Sequence, residues 1–229
     1  MSLNLFDPRL ATIDMLAGEP ALEAMRLSPA WLRKRFSEPG QWQPEFTDEH
    51  LLRQQDLQYM AMVAPRPASV LIPLVAHAHA MSLLLTQRSA QLRDHAGQIS
   101  FPGGRFNPED TDAVATALRE TEEEIGLSRC HIEIIGSLPD YFTGTGFQVT
   151  PVVALVHPPF ELVADSDEVA EIFEVPLSFL MNGAHHERRS AEFPDLLGRR
   201  TFYAIPYERH FIWGATAGML RNLYHFLRA

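Results

Sequence analysis

"GQISFPGGRFNPEDTDAVATALRETEEEIGL", Gly97 to Leu127, changes character twice. It opens as a half-buried strand, passes the glycine pair Gly103 and Gly104, and closes as a helix predicted over roughly Asp112 to Ile125. That helix crowds Glu120, Glu122, Glu123 and Glu124 into its last turns. At about 100° per residue, Glu120, Glu123 and Glu124 fall within one arc of about 100°. Ala113, Thr116 and Ala117 lie on the same side and leave room beside the carboxylates. Val114, Leu118 and Ile125 form the stripe expected to face the core, and Glu122 points to solvent.

A solvated acidic face is the ordinary explanation of such a run. The energetics weigh against it here. Like charges at i,i+3 and i,i+4 destabilise a helix by about 0.2–0.5 kcal/mol per pair. Gly126 is placed to supply the left-handed residue that ends the helix, so Glu123 and Glu124 sit where the macrodipole opposes anions. The arrangement calls for a compensating cation. Oxygen ligands without cysteine or histidine suit Mg²⁺ or Mn²⁺ rather than zinc, and magnesium usually keeps waters and binds substrate phosphates too. Phosphate chemistry is the first reading.

Around this motif, 229 residues with 46% apolar content suffice for one sizeable core, or for one domain with an appendage. No window has the roughly 18 uninterrupted apolar residues of a membrane span, and the N-terminus lacks a signal-peptide pattern, so a cytoplasmic location is expected. Cys130 is the single cysteine, which leaves no intramolecular disulfide and no cysteine-built zinc site. A formal net charge of -10 disfavours a broad nucleic-acid or membrane surface. Lys34 is the sole lysine, so any grip on phosphate falls to arginine, whose planar fork suits it.

Residues 1–57 read as a polar-rich helical extension, with "PALEAMRLSPAWLRKRF" broken at Pro29. Residues 58–229 read as the main domain. There "SVLIPLV" and "MSLLLTQR" suggest a hairpin across "AHAHA", with His77 and His79 as turn residues. Further strands fit "HIEIIGSL", "FQVTPVVALV", "VAEIFEVPL" and "TFYAIPY", and "ATAGMLRNLYHFL" fits a closing amphipathic helix. An α/β fold around a single sheet system follows. "NGAHHERRSAEFPDLLGRR" carries no clear pattern.

Arg119, Glu120, Glu123, Glu124, Gly126 and Leu127 resemble the Arg-Glu-x-x-Glu-Glu-x-Gly-apolar half of the Nudix box. Before the helix the chain departs from the general pattern. Counting from Gly104, the gap to Arg119 is one residue longer, and the first acidic place holds no glutamate, leaving Asp110 or Glu109 as substitutes. "LLTQRSAQLRDHAGQISFPGG", Leu84 to Gly104, resembles the signature of the coenzyme A pyrophosphatase branch of Nudix hydrolases, which shares the longer loop. The similarity runs from roughly Ser69 to the C-terminus and leaves the extension outside.

The resemblance implies an α/β/α sandwich with a mixed sheet, to which the chain adds its helical N-terminal extension. It implies hydrolysis of a nucleoside diphosphate linked to another moiety. In this branch coenzyme A, or an acyl derivative, gives 3',5'-ADP and (acyl-)4'-phosphopantetheine. Glu120 and Glu124 are the implied metal ligands. Glu123 would hold a further metal or its water and could deprotonate the nucleophile, a role for which Glu168 and Glu171 are alternatives. Arg88 and Arg93 are the implied contacts to the diphosphate or 3'-phosphate, and Gly103 and Gly104 let backbone approach substrate. Arg119 is expected to pair with a box glutamate and fix its rotamer, and Phe101 to be buried. The implied partner is a small coenzyme A-like molecule; a homodimer is also entertained, with the extension packing on the sandwich or on a second subunit. Two other readings stand beside this one: a Nudix hydrolase of ADP-ribose, a dinucleotide or a modified nucleoside triphosphate, and a non-catalytic binding or regulatory module. The repelling carboxylates argue against the module.

Overall fold

The run "VLIPLV" behaves as a strand buried on both faces, with Leu71, Ile72, Leu74 and Val75 wholly enclosed. In the computed structural model, which describes residues 7–45, 65–92, 95–193 and 198–229, it lies in β2 (Arg66–Ala76) near the middle of an eight-stranded mixed sheet. β2 pairs in parallel with β8 (Phe147–Val156) from Arg66 against Phe147 to Val75 against Val156. It pairs antiparallel with β3 (Met81–Arg88) across the turn bearing His77 and His79, so the expected hairpin is present. β3 also holds β4 (Ile99–Ser100) and β9 (Val169–Pro176), and β8 holds β6 (Ile132–Ser137) and β7 (Tyr141–Phe142). Beside β2, in the gap that β3 leaves, lies β5 (Gly103–Arg105).

Both faces of this sheet are covered, as an α/β/α sandwich requires. On one face, helix α2 (Ala113–Ile125) packs Ala117 against Leu71, Val152 and Ala154, and Ile125 against Val75, Leu84 and Val156. The other face holds the larger core, shared with α1 (Pro29–Ser37), the single turn α3 (Leu177–Leu180) and the closing helix α4 (Ala215–Arg228). No helix among the described residues is long and apolar enough to cross a membrane.

Three expectations need correction. The strands form two sheets rather than one system. The second is antiparallel, in the order β1 (Thr12–Leu16), β10 (Glu187–Phe193), β11 (Gly198–Tyr207), β12 (His210–Trp213). The extension is therefore only partly helical, because its residues 12–16 form the edge strand of that sheet. Every residue of β1 is exposed, so it has no buried face to write a period into the sequence. Pro29 does not break a helix; it occupies the first turn of α1, where its missing N–H costs nothing, and Ser28 accepts the Trp31 N–H as N-cap. The boundary between residues 57 and 58 lies outside the described residues.

What joins the extension to the main fold is charge. Arg221 of α4, with only 5% of its side chain exposed, donates to both carboxylate oxygens of Glu19 at 2.6 and 2.9 Å and to Glu45 at 3.0 Å. Arg26 and Arg35 donate to carbonyls in the last turn of α4, Leu227 at 2.9 Å and Phe226 at 2.8 Å, groups that a helix end leaves without internal partners. Leu27 and Leu32 sit in the main core. Burial pushes the Glu45 carboxyl up, but hydrogen bonds from His225 and Tyr203 and the charge of Arg221 outweigh it and hold it at about 2.

Breaking such a buried pairing from one side costs about 3 kcal/mol, because the other charge is left enclosed. Glu19→Gln/Glu45→Gln is accordingly expected to lower unfolding free energy by about that amount in urea titrations. Glu45 is depressed in the folded state, so its share of stability is present above the ordinary glutamate range near 4.5 and is lost as pH falls toward 2. The double variant should show a flatter acid limb than the parent. An unchanged denaturation midpoint would leave the network without a stabilising role.

Candidate active site

Helix α2 starts and stops where its sequence tells it to. Asp112 caps it by accepting the Ala115 N–H at 2.8 Å, and Gly126, at φ 67°, takes the left-handed turn that ends it. The buried stripe is Ala117, Thr121, Glu124 and Ile125 together with Thr116. Leu118 and Val114, expected to lead it, are only half-buried. The helix is rotated so that a carboxylate enters the protein: Glu124 is 4% exposed.

Two glycines make that position habitable. A Cβ on Gly104 would lie 2.3 Å from a Glu120 carboxylate oxygen, so any side chain there would displace Glu120. Gly103, at φ 151°, presses so closely on β2 that a Cβ would lie 2.4 Å from the Ser69 carbonyl oxygen. Its N–H donates to Glu124 Oε2 at 3.1 Å. The pair thus brings backbone against the helix carboxylates.

Burial dominates the electrostatics. It pushes the Glu124 carboxyl up to about 7, with repulsion from Glu120 and Glu168 adding and the Gly103 N–H and Arg88 subtracting. Glu120 is likewise raised by burial, opposed by Arg119 and reinforced by Glu123 and Glu168. Arg88 Nη1 stands 3.7 Å from Glu124 Oε1, while its buried Nε has no hydrogen-bond partner.

Arg119 organises the rest. It grips Asp110 with a fork at 3.0 and 2.9 Å, Glu120 at 2.8 Å, Glu123 at 2.9 Å and the Arg105 carbonyl at 3.1 Å. Asp110 also accepts from the Thr116 hydroxyl and the Asn107 N–H, both at 2.9 Å, and its carboxyl is held well below the usual range, first by Arg119. The longer loop before α2 is therefore clamped to the helix through Asp110, a role that its place in the sequence left undecided. Glu109 is exposed.

The other site candidates separate. Glu123 turns outward, 60% exposed, toward Arg119. Glu122 pairs with Arg129 at 3.2 Å, away from the others. Glu168 is exposed yet close enough to repel Glu120 and Glu124. Glu171 faces the other way: Ile172 packs beneath α2, whereas Phe173 joins the opposite core, and strand alternation puts Glu171 with Phe173. There it pairs with Arg209 and, at 3.4 Å, with His210. Phe101 is buried at 1% exposure. Arg93 lies outside the described residues.

Among the described residues no three acidic, histidine or cysteine side chains converge into a ready-made metal cage. The donor chemistry nevertheless fits a hard divalent cation. Glu120 and Glu124 offer oxygen only, burial raises both carboxyls, and magnesium is commonly held by one or two carboxylates with waters and substrate phosphate completing its shell.

Comparison with known proteins adds the lineage. Residues 65–196 match the family profile described as NUDIX domain. The chain is 45% identical to "Uncharacterized Nudix hydrolase NudL" of Citrobacter koseri, over 69% of this chain and 81% of that protein. It is 43% identical to the protein of that name in Escherichia coli K12, with the same coverage of both. Among solved structures, a MutT/nudix family protein from Enterococcus faecalis superposes with a TM-score of 0.46 at 17% identity, over 85% of this chain and 73% of that one.

Glu120→Gln and Glu124→Gln are each expected to remove most turnover with the fold intact, raising the barrier by about 3–4 kcal/mol. Steady-state rates at saturating Mg²⁺ or Mn²⁺, with circular dichroism as the folding control, test this. Near-parental rates in both variants would take the reaction away from this carboxylate pair.

Proposed function

This chain belongs to the Nudix family, and from that premise we propose that it hydrolyses the diphosphate bond of coenzyme A or its acyl derivatives, releasing 3',5'-ADP and (acyl-)4'-phosphopantetheine. One observation carries the reading. Arg88, from the Leu84–Gly104 segment that resembles the coenzyme A branch, stands beside Glu124 of the box helix, so the two motifs share one site.

A diphosphate concentrates negative charge, and attack by water needs positive charge on its oxygens. Mg²⁺ or Mn²⁺ held by Glu120 and Glu124 would supply most of that charge. Arg88 contributes the rest: its guanidinium, partly exposed and 3.7 Å from Glu124, offers donors to a diphosphate oxygen. The Gly103 N–H and the Arg119 clamp hold the two carboxylates in place, so little reorganisation accompanies the reaction. Glu168 or Glu123 takes the proton of the attacking water. The water oxygen bonds to one phosphorus, the bridging P–O bond breaks, and each product departs as a phosphomonoester. Of the two bases, Glu168 has the advantage of a carboxylate not committed to Arg119.

The test is mass-resolved product analysis with Mg²⁺ or Mn²⁺ on coenzyme A, an acyl-coenzyme A, ADP-ribose, a dinucleotide and a modified nucleoside triphosphate. Coenzyme A is expected to be cleaved fastest, into the two named products. Faster cleavage of another member of the panel would move the activity to that nucleoside diphosphate derivative. Because Arg88 lies at the diphosphate, Arg88→Ala should slow coenzyme A and dephospho-coenzyme A alike, by about 10- to 100-fold. A selective loss on coenzyme A would move Arg88 to the 3'-phosphate.

A further inference from the structure

Two guanidiniums on the opposite face of the sheet are matched by no acid. Arg66 opens β2 in register with Phe147 of β8, and its guanidinium carbon lies 4.0 Å from the centre of that ring. Arg105 closes β5 opposite Ala68 and reaches the same ring at 5.4 Å. Arg66 donates to the Thr145 carbonyl at 2.9 Å, and both side chains are exposed. Among the described residues neither meets a carboxylate, whereas Arg33, Arg119, Arg129, Arg199, Arg209 and Arg221 each do. A single arginine on a phenylalanine is packing. Two are harder to dismiss. In a chain with 29 acidic and 19 basic side chains, cations set side by side on one ring repel each other and leave positive potential uncancelled.

The shelf is close to the chemistry. Gly104, the neighbour of Arg105, lies against Glu120, and the Arg105 carbonyl accepts from Arg119 at 3.1 Å. The outer edge of β5 is held by α2, the Gly103 N–H by Glu124 and the Arg105 carbonyl by Arg119, so only this short strand separates the shelf from the carboxylates. Phe106, 40% exposed, follows Arg105 and offers apolar surface to a ring attached to the anion.

We propose that Arg66 and Arg105, seated on Phe147, bind a phosphomonoester that the substrate carries outside its scissile diphosphate. The proposal rests on the reading above, in which Glu120, Glu124 and Arg88 take the diphosphate. It assigns the choice of substrates with an extra phosphate to a pair of side chains at positions that neither sequence motif specifies. A guanidinium fork matches the planar array of phosphate oxygens.

Calorimetric titration of the full chain in EDTA with 3',5'-ADP, AMP and inorganic phosphate tests it. The parent is compared with Arg66→Gln/Arg105→Gln, after circular dichroism and melting temperature show the fold retained. The parent is expected to bind 3',5'-ADP at least about tenfold more tightly than AMP, and the double variant to bind the two alike. Arg66→Lys/Arg105→Lys should restore part of the preference. If the double glutamine variant does not fold, each single glutamine variant should narrow the preference by itself. Three results would overturn the subsite: no preference in the parent, a preference kept in the folded variant, or inorganic phosphate bound as tightly as 3',5'-ADP. Failure of the coenzyme A reading looks different. There the parent cleaves no coenzyme A, yet the preference exists and disappears with the two arginines, and the subsite stands.

Discussion

The buried repulsion between Glu120 and Glu124 is the constraint around which this half of the molecule is arranged. A surface helix can scatter acids into water at little cost, but Glu124 is enclosed, with one backbone N–H and one distant guanidinium for compensation. Burial of that kind favours the neutral acid. Keeping the charged form available would take positive charge delivered from outside, which a divalent cation arriving with a phosphate substrate would supply. The local sequence serves the same end. Gly104 leaves free the space that Glu120 occupies, Gly103 lies close on β2 and turns its N–H to Glu124, and a glycine stops the helix directly after Ile125.

Arg119 divides labour among glutamates that look equivalent in sequence. By holding Glu120, Glu123 and Asp110 at once, it draws Glu123 outward, leaves Glu120 and Glu124 as the inward pair, and fixes the loop before the helix. The same charge therefore orients Glu120 and closes a loop. The longer connection between Gly104 and Arg119 is compatible with an ordered site for this reason: Asp110 anchors it near its midpoint.

At the opposite end of the molecule the order is reversed, with a buried cation awaiting acids. Arg221 takes Glu19 and Glu45 from the extension, and the last carbonyls of α4 take Arg26 and Arg35. The described part of the extension is thus an integral layer of the fold. It adds an edge strand, covers the larger core with Leu27 and Leu32, and neutralises the closing helix without approaching Glu120 or Glu124 by any contact named above.

Local periodicity and local chemistry were legible from the chain alone. The β2–β3 hairpin, the long strand from Phe147 and the limits of α2 with Asp112 and Gly126 all follow from interactions spanning a few residues, whereas Glu123, which periodicity groups with Glu120 and Glu124, turns outward toward Arg119. Motif resemblance added the sandwich and the family, and implied the metal-dependent chemistry. The rest waited for contacts between distant segments. β1 has no buried face and is a strand only because β10 is beside it, and the rotation of α2 that sinks Glu124 is set by Leu71 and Val152 beneath Ala117. Glu171 could be told from Glu168 only once strand pairing put Glu171 on the side of the sheet away from α2, while Glu168 lies near Glu120 and Glu124. The sequence determined which groups were available and how the helix and hairpins would form. Burial and long-range pairing, which depend on partners as distant as Glu19 is from Arg221, 202 residues away, decided which of those groups carry a perturbed charge.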